Sequence, residues 1–241
     1  MTNSYDALAP HYDLIMTSGY YDYDAYAREL RALIGNRRDV LELGVGTGLV
    51  CDRLLATGPT GMRITGIDHT ERMLAQARNR LGDRVELVEM DILYAVPEST
   101  FDVAFSVGGI WYCLRDGDEI TLGSHLVEES DNIKGLRNLA TALRPGGLLV
   151  LAVQDAHHAL RRTLPGGLVY AQESRAEGGG RFTKDYYVMR ETTVVAHQRS
   201  GYRVFGAADA DRLMEQCGFR RQSGGDEPFC RPAQYMQYVR V

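Results

Sequence analysis

Residues Val40 to Gly48 read VLELGVGTG, an apolar run with one acid, Glu42, and then Gly44, Gly46 and Gly48 at alternate positions. A strand that ends in glycine and turns into a helix leaves N–H groups pointing outward, and a ligand can approach where a Cβ would collide. The spacing GxGxG differs from the GxGxxG of dinucleotide sites, whose third glycine serves close packing of helix on strand. Asp68 closes the next apolar run, in GID. A carboxylate there accepts two hydrogen bonds from ribose hydroxyls. Asp91 follows a third run, in EMDIL, placed to accept from an exocyclic amine while Ile92 offers its backbone N–H to a purine ring nitrogen. The set describes a nucleoside site without a phosphate-binding lysine. The structural alternatives are a tight strand-to-helix turn without ligand and, for Asp68, a helix N-cap.

Those residues need strands and helices in alternation to hold them. Periodicity predicts a helix over Ala25 to Ile34, stopped by Gly35, and a strand at Val40 to Leu43. A helix from Leu49 to Leu55, a strand from Met62 to Ile67, a helix from Thr70 to Leu81 and strands at Val85 to Glu89 and Phe101 to Val107 continue the pattern. A polar stretch from Arg115 to Lys134 precedes a helix at Gly135 to Leu143 and a near-continuous apolar run at Leu148 to Val153. Runs buried on both faces belong in parallel sheets. The fold class is therefore α/β, a doubly wound Rossmann-like sheet, in a single domain over residues 1–241. Residues 1–35 form an N-terminal cap. Residues 155–206 alternate as antiparallel strands broken by EGGGR and read as an inserted cap. A helix from Ala207 to Cys217, with Gly218 behind it, and a strand in AQYMQYVRV close the chain.

The chain has 241 residues, 44% of them hydrophobic, which suits one substantial core. Its net charge is −5 with scattered basic residues, so nucleic acid is not an expected partner. Cys51, Cys113, Cys217 and Cys230 form no CxxC pair and read as reduced thiols, and no metal signature is present. No apolar stretch reaches about 18 residues, so a cytoplasmic protein without membrane contact is expected. Tyr170, Tyr186 and Tyr187 on the antiparallel layer suggest an aromatic face that a homodimer would bury.

VLELGVGTG, GID, MDI, FDVAFSV and LRPGGLLVLAV, in that order, resemble the class I S-adenosylmethionine-dependent methyltransferases over Val40 to Val153. The resemblance implies Glu42 near the methionine amino group of S-adenosylmethionine, Gly44, Gly46 and Gly48 beneath the cofactor, and Asp68 on its ribose. It further implies His69 and Met73 flanking the adenine, Asp91 and Ile92 on the adenine edge, and Ser106 close to the cofactor. YDALAPHYDL looks like the N-terminal cap of the small-molecule branch, which implies that Tyr5, Tyr12 or Tyr20 closes over cofactor and acceptor. The antiparallel insertion is similar to that of natural-product tailoring enzymes, including those acting on amino sugars. SVGG in place of a DPPY-type sequence after the fourth strand argues against nucleobase amino groups as acceptors.

The expected reaction is methyl transfer to oxygen or nitrogen of a small-molecule acceptor, with the partners aligned in a dry site. An amine acceptor must be neutral, and a hydroxyl acceptor benefits from a base. His157 and His158, beyond the fifth strand at the carboxyl edge of the sheet, are the candidate bases, with solvated loop histidines as the alternative. His11 is a weaker candidate, and Tyr12 is a candidate catalytic residue in the cap. Other chemistry on bound S-adenosylmethionine, such as decarboxylation or cyclisation, and a non-catalytic regulatory role remain open. An NAD-linked oxidoreductase is disfavoured by the glycine spacing.

Overall fold

The computed structural model describes residues 5–58, 61–97, 100–156, 159–222 and 235–241. In chain order these form α1 (Tyr12–Ile15), α2 (Tyr23–Ile34), β1 (Asp39–Leu43), α3 (Leu49–Thr57), β2 (Arg63–Asp68), α4 (Glu71–Leu81), β3 (Glu86–Glu89) and β4 (Phe101–Ser106). Then come β5 (Trp111–Asp116), β6 (Glu119–Ser124), α5 (Glu129–Ala142) and β7 (Leu143–Asp155). The inserted layer comprises β8 (Ala159–Leu164), β9 (Leu168–Gly178), β10 (Arg181–Arg190) and β11 (Thr193–Phe205), and α6 (Ala207–Gln216), β12 (Phe219–Arg221) and β13 (Tyr235–Arg240) end the fold.

The central sheet runs β3-β2-β1-β4-β7, all parallel, and continues into β13, antiparallel to β7, and β12. Each strand face feeds a different apolar layer, as the period of two requires. Val40, Val103 and Val150 pack with Leu30, Leu54 and Leu74 of α2, α3 and α4. Leu41, Ala104 and Leu149 pack with Leu136, Leu139 and Leu213 of α5 and α6 on the opposite side. This is the expected doubly wound arrangement.

One strand joins two sheets. Along Leu148–Ala152 the outer edge of β7 pairs with β13, and from Val153 to Asp155 it pairs with β5. From β5 the second sheet runs through β6, β11, β10 and β9 to β8. The expected insertion is thus present, but it docks on a hairpin that overlaps the start of the supposed polar stretch. WYCLRD and EITLGS pair across a two-residue turn at Gly117 and Asp118, with Gly117 at φ +59°. Gly-Asp in a two-residue loop is a hairpin signal, since the favoured turns need positive φ at the first position. Lys134 falls inside α5, which begins at Glu129 rather than Gly135.

Tyr170 and Tyr186 are only 1% and 7% exposed, so they belong to this chain's own interior and not to an exposed dimer face. Tyr187 stacks on His197 at 4.7 Å between ring centres. Among the described residues no helix is long and apolar enough to cross a membrane, and no cluster of potential metal ligands occurs.

Gly48 begins α3 at φ +80°, and a Cβ built there would lie 2.6 Å from Leu81 Cδ1 of α4. The residue is a packing glycine as well as a turn glycine. Gly48→Ala should therefore cost about 2 kcal/mol or more through backbone strain and overpacking. A thermal melt should show a loss of several degrees; an unchanged midpoint contradicts this account.

Candidate active site

The turn from β1 into α3 carries Gly44, Gly46 and Gly48 at φ +69°, +56° and +80°. Residues with side chains rarely adopt that conformation, which accounts for the alternation of glycines. At Gly44 a Cβ would also meet the Gly109 Cα at 2.8 Å. Gly44 and Val45 donate their N–H groups to the Ile67 carbonyl, each at 2.9 Å, and Gly46 N–H donates to Asp68 Oδ2 at 2.9 Å. Thr70 N–H holds Asp68 Oδ1 at 2.8 Å. Asp68 thus caps its own turn and braces the glycine loop, and each oxygen keeps a second lone pair for a ligand. Burial raises its pKa, against the lowering effect of these two N–H donors.

Beside this turn lies a cleft of about 750 Å³ whose walls include Gly44, Asp68, His69, Asp91 and Ile92. The Ile92 carbonyl accepts from Asn138 Nδ2 at 2.7 Å, and Asp91 Oδ1 accepts from Leu93 N–H at 2.9 Å. These bonds fix the backbone around the expected purine-edge residues. Asp68, Asp91, Ile92 and His69 therefore line a single cleft. Gly44 lines this cleft, and its lack of a Cβ lets the backbone of Gly109 pack against it.

Other expected cofactor residues sit elsewhere. Met73 is 3% exposed, with its methyl beneath Gly46, and supports the loop instead of lining the cleft. Ser106 is fully buried under Gly109. Gly48 packs on Leu81, as above. Glu42 is 2% exposed and lines neither of the cavities described here. Its Oε2 accepts from the Cys51 thiol at 2.7 Å. Burial pushes its pKa up to about 8, with Asp68 adding to the rise and the thiol opposing it.

Tyr5, Tyr12 and Tyr20 gather around a second, tighter cavity of about 50 Å³, lined also by Tyr112, Gln154 and Lys184. That volume holds a few waters or one polar group of a ligand. His125 borders both cavities. Burial pushes its pKa down to about 4, aided by Lys184 and His69 and opposed by a hydrogen bond to the Gly108 backbone. Tyr5 stands edge-on to His125 at 6.0 Å, and the Tyr5 and Tyr186 hydroxyls lie 3.3 Å apart. Burial raises the pKa of Tyr5, Tyr12, Tyr112 and Tyr186, so these phenols stay protonated.

The N-terminal cap is tied to the glycine loop. Thr47 Oγ1 and Arg80 Nη2 donate to the two oxygens of Asp13 at 2.6 and 2.5 Å, and Arg80 also reaches the Thr47 carbonyl. Gln76 Nε2 donates to the Ala9 carbonyl at 2.7 Å. One segment therefore carries the aromatic wall of the second cavity and touches the turn that shapes the first.

His157 and His158 lie outside the described residues. His11 does not line either cavity. Sequence reasoning left His125 without a role because the second strand of the hairpin before it read as a polar stretch; WYCLRD-GD-EITLGS was the available signal.

Residues 40–147 match the family model described as a methyltransferase domain. This segment is a methyltransferase domain. An uncharacterized methyltransferase of Geobacillus sp. strain WCH70 is 31% identical over 134 residues, covering 54% of this chain and 61% of that protein. The match thus spans about three-fifths of the length of that relative. Among solved structures, CalS10, an amino pentose methyltransferase from Micromonospora echinaspora involved in calicheamicin biosynthesis, superposes with a TM-score of 0.68. It is 18% identical, with 95% of this chain and 96% of that chain covered. The sugar N-methyltransferase KedS8 from Streptoalloteichus sp. ATCC 53650 gives a TM-score of 0.69 at 20% identity, covering 95% and 92%. The likeness spans the central sheet and the antiparallel layer alike and shows a common Rossmann-like fold.

Within the methyltransferase domain, Glu42 makes stability depend on pH. Its pKa is about 8 in the folded chain against an ordinary 4.5, so the folded state holds this proton more tightly than the unfolded one. The associated stability is complete below the ordinary value and is lost as pH rises toward the folded value. Glu42→Gln cannot ionise. Urea unfolding of the ligand-free protein should find the variant similar to wild type near pH 5 and more stable near pH 8, whereas parallel pH profiles would contradict the assignment.

Proposed function

We propose that the protein is a cytoplasmic S-adenosylmethionine-dependent methyltransferase acting on oxygen or nitrogen of a small natural-product-like molecule. The observation that carries this reading is the meeting, at His125, of the cleft lined by Asp68, Asp91 and Ile92 with an aromatic cavity. The amino pentose and sugar N-methyltransferases that share the fold support the tailoring role, and the buried free thiols Cys51, Cys113 and Cys217 suit a reducing compartment.

S-adenosylmethionine, when bound, supplies a methyl group already activated on a sulfonium. Asp68 would accept the ribose hydroxyls, Asp91 and the Ile92 N–H would read the adenine edge, and His69 would flank the ring. Glu42, once ionised, would offer a charge to the ammonium of the methionine portion. Tyr5, Tyr12 and Tyr20 exclude water and shape the acceptor's approach, so that alignment supplies much of the barrier reduction. With its pKa pushed down to about 4, His125 is neutral near pH 7 but weakly basic. We assign it an orienting role between acceptor and cofactor, not proton removal.

Calorimetry with S-adenosylmethionine, S-adenosylhomocysteine and NAD tests the reading. The first two should bind and NAD should not. Removing a charged acceptor of ribose hydroxyls costs about 1.5–3 kcal/mol, so Asp68→Ala should weaken S-adenosylhomocysteine binding about tenfold or more. Unchanged affinity in a folded variant would refute the ribose assignment. Release of S-adenosylhomocysteine with an acceptor distinguishes turnover from a regulatory role, and a mass gain of one methyl on that acceptor distinguishes methylation from decarboxylation or cyclisation.

A further inference from the structure

The second cavity has a charge pattern that the proposed reaction leaves unused. Lys184 lies on β10, paired in the ladder with Ser174 of β9 and Ser200 of β11. Strand alternation sends Asp185 to the other face, where Arg199 holds both its oxygens at 2.8 and 2.9 Å and His197 lies 2.8 Å away. The Lys184 ammonium instead stands over the rings of Tyr202 and Tyr186, at 5.2 and 5.8 Å from their centres. Among the described residues no carboxylate forms an ion pair with it. Its pKa is pushed down to about 8 by burial alone, so it carries its charge at pH 7.

A second donor shares this cavity. The Tyr21 hydroxyl donates to Gln154 Oε1 at 2.7 Å, which fixes the orientation of the amide. Gln154 Nε2 is then a buried donor that no described residue satisfies. A buried donor left in this condition costs free energy until an acceptor reaches it. Asp155 is the acid on the cavity lining, and its carboxylate is largely exposed and faces Arg115 at 3.5 Å. The surrounding phenols are neutral. The interior of the cavity therefore offers a positive charge and N–H donors without a buried anion to answer them.

We infer that the methyl acceptor is an acid, whose carboxylate or phosphoryl oxygens rest on the Lys184 ammonium and the Gln154 amide. This rests on the methyltransferase reading and names its substrate class. An ammonium in the same place would meet a like charge in a desolvated space, where charges interact far more strongly than in water. A neutral group would leave the charge of Lys184 unanswered.

The test uses the full chain saturated with S-adenosylhomocysteine at pH 7 and four probes of similar shape: benzoate, phenylphosphonate, benzamide and benzylamine. Calorimetry should show both anions binding about tenfold or more tightly than benzamide, with benzylamine weakest. Lys184→Met should abolish that preference while leaving benzamide and S-adenosylhomocysteine affinities unchanged. A second readout needs no variant to fold. Lys134 and Lys184 are the only lysines in the chain, so ¹³C-methylated lysine NMR follows each one separately. Phenylphosphonate should raise the Lys184 titration midpoint by about one unit and leave Lys134 unmoved. Equal binding of benzoate and benzamide, or a Lys184 midpoint unmoved across the millimolar range, overturns the inference in a protein that binds S-adenosylhomocysteine. Failure to bind S-adenosylhomocysteine overturns the methyltransferase reading instead.

Discussion

The hydrogen bond from Gly46 N–H to Asp68 Oδ2 is the contact on which the site depends. It joins the turn after β1 to the end of β2, and it forms because three alternate residues adopt positive φ, which glycine does at no steric cost. Without that backbone path the Gly46 N–H would not reach Asp68. The same carboxylate caps the turn into α4 through Thr70. A ligand that accepted Asp68 as a partner would therefore meet a group already oriented by two backbone donors, which lowers the ordering cost of binding.

Order spreads from that turn to the rest of the molecule. Thr47, within the same loop, donates to Asp13 of the cap, and Arg80 of α4 bonds to both. The aromatic residues around the second cavity are thus referenced to the first. On the opposite side β7 extends beyond β13 to pair with β5, which brings Gln154 and the antiparallel layer against the cap. The two sheets meet at β7, whose pairing with β5 is still parallel. Ligand crevices in open α/β sheets form outside the carboxyl ends of the strands, and here the second sheet closes that crevice.

The central sheet and the glycine turn with its two acids were legible in sequence because they rest on local signals. VLELGVGTG combines a buried apolar strand with conformations reserved to glycine, and Asp68 and Asp91 each terminate an apolar run. The acceptor side was not legible in the same way. Tyr186, Lys184 and Gln154 approach one another through pairings between distant strands, and strand periodicity gives faces but not which sheet a face will cover. Hence Tyr170 and Tyr186 suggested a dimer surface although they fill this chain's own interior. Met73 and Ser106, which the resemblance implies near the cofactor, lie one below the glycine loop and the other below Gly109.

Burial has a common consequence for Glu42, His125 and the phenols around the second cavity: all are kept uncharged near pH 7. Glu42 is held protonated up to about pH 8, His125 is held neutral down to about pH 4, and the phenols are pushed above their ordinary value. Such an environment suits a transfer in which a positive sulfonium becomes a neutral thioether, since a dry and weakly charged surrounding does not stabilise the charged reactant as water does. It also removes strong bases from the acceptor wall, because a histidine that titrates near pH 4 has little affinity for a proton. Lys184 departs from the pattern by keeping its charge in the same space. A charge retained against desolvation, in a cavity otherwise made neutral, has its counterpart in the ligand.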